Sequence, residues 1–234
     1  MHTPFFFRRA DELLLALVYP RKTICLSCGR LSRGAHLCPA CAAEMEAYRL
    51  WGDLCPQCGH ALTSSPCSFC KGDVPGRMLS LWQHKGAPRQ LVLQLKHGCV
   101  AEAATVLGRE MAERVRTMHL SPDTVVTWVT MPRTRRKNRG VDHGRLLAET
   151  IAREAGLPCR QLLIRQSQGK TQRGLTRKQR LRNLKGMFSC PQQLNHPVLL
   201  VDDVMTTSAT ARVCMEALLQ AGAVQAAAIT ATQA

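Results

Sequence analysis

Two carboxylates, Asp202 and Asp203, stand directly before a loop of hydroxyl residues, Thr206, Thr207, Ser208 and Thr210, with Val204, Met205 and Ala209 between them. If that loop opens a helix, its backbone amides over residues 206–210 can cradle a phosphate at the positive end of the helix dipole. The carboxylates do not favour phosphate, but they accept well from neighbouring sugar hydroxyls or hold Mg2+ through water. Donors for a 5′-phosphate beside acceptors for vicinal hydroxyls describe a site for a phosphorylated ribose. The bland alternative is an acidic strand end followed by an ordinary N-capped helix. An acid pair alone would favour that alternative; Asp-Asp-x-x-Thr-Thr-x-x-Thr directly after Val198-Leu199-Leu200-Val201 favours the sugar-phosphate site.

A second chemistry sits in the first 70 residues. Of the twelve cysteines, eight form four Cys-x-x-Cys pairs: Cys25 and Cys28, Cys38 and Cys41, Cys55 and Cys58, Cys67 and Cys70. Each pair lets two thiolates converge where the chain turns back, and two pairs complete a closed tetrahedral structural site. A redox dithiol does not need four copies, and an Fe–S cluster fits the regular knuckle pattern less well. Two structural Zn2+ ions are therefore expected, most simply held in sequential sets of four, with a cross-braced pairing left open. Few hydrophobes lie between the knuckles, so metal must supply much of the folding energy. His36 and His60 are near enough to replace a cysteine but read as solvent-facing, while Cys99, Cys159, Cys190 and Cys214 read as buried thiols.

Cations form the third group. Arg133, Arg135, Arg136, Lys137 and Arg139 crowd one loop, where they could meet pyrophosphate or DNA phosphate. Lys170, Arg173, Arg177, Lys178, Arg180, Arg182 and Lys185 fill a polar stretch, and no Asp or Glu occurs between Glu154 and Asp202. A solvated face would mix signs, so this block is expected to bind nucleic acid. Its glycines and glutamines fit a loop that closes over a ligand.

The elements that must position these groups alternate along the chain. Residues 78–82 suit a strand; residues 87–96 and 101–118 show helical spacing, for example at Val106, Met111 and Val115. Residues 123–131 form a second buried strand leading into the arginine loop, and residues 142–155 a helix with Leu146, Leu147, Thr150 and Ile151 inward. A short strand lies within 159–165, an edge strand over 187–189, a buried strand over 198–201, a helix over 208–222 and a last apolar strand over 223–230. Repeated strand, loop, helix implies a mostly parallel sheet flanked by helices, which binds ligands at its carboxyl ends. Residues 1–24 hold a docking helix over 8–18, residues 25–72 the zinc-binding region with a helix over 42–50, and residues 77–234 the α/β domain.

Composition narrows the partners. The chain has 234 residues, 45% hydrophobic, with formal net charge +16 and a pI near 9.9. Such an excess implies a polyanionic or phosphorylated partner. Aromatics are only 4%, too few for single strands stacked along many aromatic platforms. Reduced, clustered cysteines and no convincing secretion signal point to the cytoplasm. Phe5, Phe6, Phe7, Arg8 and Arg9 would suit a peripheral membrane contact.

Residues 202–210 resemble the 5-phosphoribosyl-1-pyrophosphate (PRPP) signature of type I phosphoribosyltransferases, with Ser208 where glycine is usual. With the paired Cys-x-x-Cys modules, Leu95-Lys96-His97-Gly98, Arg139-Gly140-Val141-Asp142-His143, Thr171-Gln172, Arg180 and Asn183, the chain resembles the ComF family over about residues 25–230. Two further departures are Val141-Asp142-His143 where Phe-Asn/Asp-Gln is usual, and Thr130 where many members have proline. The resemblance implies a bacterial cytoplasmic protein with a zinc-finger head and a type I phosphoribosyltransferase-like body. It links the chain to natural competence and DNA uptake, and it carries no secure reaction. The leading expectation is a protein that binds PRPP or a related phosphosugar and acts through single-stranded DNA or a competence partner. The alternative is an active Mg2+-dependent phosphoribosyltransferase or PRPP hydrolase with unknown acceptor. A third reading is a scaffold whose knuckles grip a helicase-like partner.

Overall fold

The computed structural model describes residues 24–32, 34–51, 54–60, 67, 69–70, 74–98, 100–131, 141–166 and 186–234. The expected docking helix over 8–18, the arginine loop 133–139 and the basic block 170–185 lie outside these residues.

Its centre is a four-stranded sheet of β1 (Met78–Gln83), β2 (Val125–Trp128), β5 (Val198–Met205) and β6 (Ala226–Gln233). The order is β1-β6-β5-β2, and every neighbouring pair is parallel. Parallel neighbours require crossovers, which helices supply. Between β1 and β2 run α2 (Gly86–Leu93), a π turn (Gln94–Gly98) and α3 (Ala101–Arg116); α4 (His143–Ala155) follows β2, and α5 (Ala209–Gln220) joins β5 to β6. A two-stranded antiparallel sheet, β3 (Ile164–Arg165) with β4 (Phe188–Ser189), lies beside α5. The expected edge strand at 187–189 therefore belongs to this small sheet, not to the main one.

Alternation along β5 divides the core. Leu199 and Val201 pack into the layer of α2, α3 and α4, while Val198 and Leu200 pack into the layer containing α5 and Phe188. Both faces are covered, as the unbroken apolar run predicts for a central parallel strand. α3 and α4 approach closely at Gly108, where a Cβ would stand 2.6 Å from Thr150 Cγ2. Asp142 caps α4 by accepting from the Arg145 amide at 3.3 Å.

Both sheet edges are covered, which blocks pairing with another chain. On β1, Arg49 forms an antiparallel bridge with Trp82, and the Leu50 amide donates to Leu81 O at 2.8 Å. On β2, Cys159 bridges Val126, and the Arg160 amide donates to Val126 O at 2.9 Å. The cysteine-rich region is thus built onto the body, with α1 (Pro39–Ala47) sending Met45 into the same core as Leu91 and Leu95.

Several element ends differ from expectation. α1 spans Pro39–Ala47 rather than 42–50, because a proline is well placed in a helix's first turn. The helix expected over 87–96 turns into the π turn after Leu93. β5 runs through the acid pair to Met205, since β6 extends beside it and pairs Asp202 with Thr230 and Val204 with Thr232. Cys214 is fully buried as expected, but Cys159 and Cys190 are only partly covered.

Candidate phosphate and metal sites

The eight paired cysteines gather as two sequential sets: Cys25, Cys28, Cys38 and Cys41, then Cys55, Cys58, Cys67 and Cys70. Within each set the thiols lie within 4.8 Å of one another. Cys28–Cys38, Cys55–Cys70 and Cys58–Cys67 are each 3.7 Å apart. That spacing matches the edge, about 3.8 Å, of a tetrahedron whose metal–sulfur arms are about 2.3 Å. The residues present therefore fit a structural Zn2+ in each set.

The two turns are built alike. Gly29 N donates to Cys25 O and Gly59 N to Cys55 O, both at 2.9 Å, and the two glycines take φ +74° and +69°. A left-handed residue there lets the chain fold back so that thiols can converge. His60 does not face solvent as expected: it stacks on Phe69 with ring centroids 3.3 Å apart and is half-buried.

The second site lies at the carboxyl end of the main sheet. Asp203 is almost closed off; Lys96 Nζ is 2.7 Å from Oδ1 and His143 Nε2 is 3.0 Å from Oδ2. Burial raises its carboxyl pKa, but the His143 hydrogen bond and the Lys96 charge outweigh that and hold it below the usual value. Asp202 behaves oppositely. Burial and the adjacent Asp203 charge push it up to about 7, although its Oδ1 accepts the Asp203 amide at 2.9 Å. Hydroxyls on the strands behind the acids are paired: Thr232 Oγ1 is 2.8 Å from His84 Nδ1, and Ser80 Oγ is 2.6 Å from Thr230 Oγ1.

Asp202 forms a shared wall. On one side is a cleft of about 220 Å3 bounded by Lys96, Thr130, His143, Arg165, Asp202 and Asp203. On the other is a small pocket lined by Asp202, Val204, Met205, Thr206, Ser208, Ala209 and Thr210. Thr207 lies in the same loop, half-buried, outside both walls. Ser208 is the N-cap of α5 in the left-handed conformation, φ 57°, ψ 0°. Its Oγ is buried and makes no hydrogen bond among the described residues. The pocket can therefore offer a hydroxyl and a helix N-terminus to an oxyanion, with a carboxylate alongside for hydroxyl donors.

Sequence reading left Lys96, His143, Thr130 and Arg165 without a role. Lys96 and His143 did stand inside the motifs that carried the family resemblance, but no local pattern tied either to Asp203. The arginine loop and basic block lie outside the described residues.

Comparison with known proteins agrees with this architecture. Residues 14–75 match the double zinc ribbon domain. The chain is 33% identical over 197 residues to the DNA utilization protein YhgH of Escherichia coli, covering 78% of this chain and 85% of that protein. The chain belongs to the ComF family. Another relative, competence protein F of Haemophilus influenzae, is 26% identical over 80% of each chain. Among solved structures, the ComF chain aligns with the PRPP amidotransferase of B. subtilis (TM-score 0.40, 18% identity, 59% of this chain and 30% of that one). It also aligns with the adenine phosphoribosyltransferase of Leishmania tarentolae (TM-score 0.34, 18% identity, 56% of this chain and 71% of that one). Among the described residues no helix is long and apolar enough to cross a membrane.

Proposed function

We propose that the chain binds PRPP or a related phosphosugar at the β5–α5 turn and serves DNA utilisation by binding single-stranded DNA or a competence partner. The loop amides over 206–210 and the hydroxyls of Thr206, Ser208 and Thr210 take the 5′-phosphate, and the acid pair supplies acceptors for the ribose hydroxyls. The observation that carries this reading is the buried Ser208 Oγ, without a hydrogen-bond partner among the described residues, in a pocket that shares Asp202 with the larger cleft. The DNA half rests on net charge +16, the acid-free cationic stretch before Asp202 and the names of the relatives. Calorimetric titration with ribose 5-phosphate, and with PRPP plus Mg2+, tests the pocket; a saturable signal abolished in Asp202→Asn/Asp203→Asn is expected. Silence from both ligands would reject it.

A second reading, phosphoribosyl transfer or PRPP hydrolysis, is favoured by Asp202, whose carboxyl near 7 suits proton exchange at neutral pH. Pyrophosphate release from PRPP, measured with and without Mg2+ and a panel of bases and amines, separates binding from turnover.

A further inference from the structure

The zinc region and the acid pair are joined by one helix. Lys96 reaches Asp203 from the π turn that directly continues α2. The start of α2 has no side-chain cap from its own N-cap residue, Lys85. Its partner comes from α1 instead: Glu44 Oε2 accepts the Ala87 amide at 2.8 Å, placing a negative charge at a helix N-terminus. Glu44 lies three residues beyond Cys41, hence on the same face of α1 as a thiol of the first four-cysteine set. Gly86, at φ +48°, lets α1 approach this closely; a Cβ there would stand 2.6 Å from Glu44 Oε2 and 2.4 Å from Tyr48 Cε2. Tyr48 O also accepts the Gln83 amide at 2.9 Å, so the whole β1–α2 turn is gripped from the cysteine-rich side.

A π turn holds one residue more than an α-helix would over the same rise, and such turns are often found at functional sites. Here the α2–π segment is held at its first turn, through the Ala87 amide, and again within the π turn, where Leu95 is buried. If the capped end lets go, α2 can slide and return the turn to α-helical register. One residue of slippage rotates a side chain by about 100° around the helix axis, which would carry Lys96 off Asp203. We propose that Glu44 is a positioning residue for Asp203: by fixing the first turn of α2 it fixes the π turn and the reach of Lys96, so that the folded state of the first four-cysteine module is read at the acid pair. The effect on ligand affinity rests on the phosphosugar reading above; the link from Glu44 to Lys96 does not.

The test uses the zinc-loaded full chain and needs no ligand for its first arm. Acetylation of Lys96 by an amine-reactive ester, followed by peptide mass spectrometry, reports whether Nζ is held. Loss of a cap is worth a factor of about five in the held population, so Glu44→Ala raises Lys96 labelling about fivefold towards the level of Asp203→Asn. Glu44→Gln, which keeps an acceptor oxygen, stays near the native rate. Should the alanine variant not fold, Glu44→Asp, too short to reach Ala87, is scored by the same criterion. Lys96 labelling unchanged in the released variant overturns the proposal. The second arm is a double-mutant cycle on ribose 5-phosphate affinity: Glu44→Ala adds no further loss to Lys96→Met if the two act in series, whereas additive losses overturn the relay. If native protein binds no ribose 5-phosphate, the pocket reading fails while the labelling arm still decides the role of Glu44.

Discussion

Ser208 occupies a left-handed backbone conformation that glycine adopts without a Cβ penalty, at φ 57°. Replacing it should relieve strain at the start of α5, offset in part by glycine's greater entropy when unfolded. Ser208→Gly is expected to stabilise the fold by about 0.5–1 kcal/mol, read as a small rise in thermal midpoint. Asp202 gives a second test at this scale. With its carboxyl pushed up to about 7 in the fold, the stability tied to that proton is full below about pH 4 and is lost as pH rises to about 7. Asp202→Asn, which keeps the oxygen that accepts the Asp203 amide, removes this loss. Its melting curves should pull ahead of native protein across that window and hold a constant lead above it, about 1–3 kcal/mol; a lead that does not change with pH would contradict the assignment. The residue types in the loop were legible from local spacing. That Asp203 meets Lys96 with one oxygen and His143 with the other, leaving the two acids unequal, was not, because those partners come from separate helical segments.

At the scale of elements, periodicity located every strand of the main sheet and the helices between them. It could not set where β5 stops: the strand continues through the acids only because β6 runs alongside to Gln233. The π turn was equally hidden, since Leu95 and Lys96 read as ordinary helix and local spacing does not mark the extra residue. Packing of α3 on α4 yields a prediction of its own. A methyl group at Gly108 would press into Thr150, whose Oγ1 already donates to Leu146 O at 2.9 Å. Gly108→Ala is expected to cost about 1–3 kcal/mol through overpacking despite alanine's better helix propensity. Denaturant unfolding should recover part of that loss in Gly108→Ala/Thr150→Ser, which removes the facing methyl.

Across the whole molecule, two fold-stabilising chemistries meet. The α/β body is held by two apolar layers, one on each face of its sheet. Among the described residues, the cysteine-rich region has little core beyond its thiols, Phe69 and the side chains it sends into the body. Chelation should therefore expose residues 24–70 to protease before the body yields, and should lower the thermal midpoint by several degrees. A body that melts at the same temperature with and without chelator would show that the docking of Met45, Glu44 and Arg49 carries no stability. For DNA, seven cations between residues 170 and 185 make a quantitative expectation. If they meet phosphates, affinity for a single-stranded oligonucleotide falls on the order of 10^3-fold between about 50 and 200 mM salt. Charge reversal within that stretch should flatten the slope.

By itself the sequence determined the metal-binding pairs, the acid and hydroxyl spacing and the alternation of strands with helices. Each is written within a few consecutive residues, where backbone geometry alone relates one side chain to the next. Tertiary structure alone decided that the cysteine-rich region seals the edge of β1, that Glu44 holds the start of α2, and that Lys96 and His143 close on Asp203. Those meetings depend on strand order and on which helix faces pack together. Burial of surface from distant parts of the chain fixes both, and no local pattern records it.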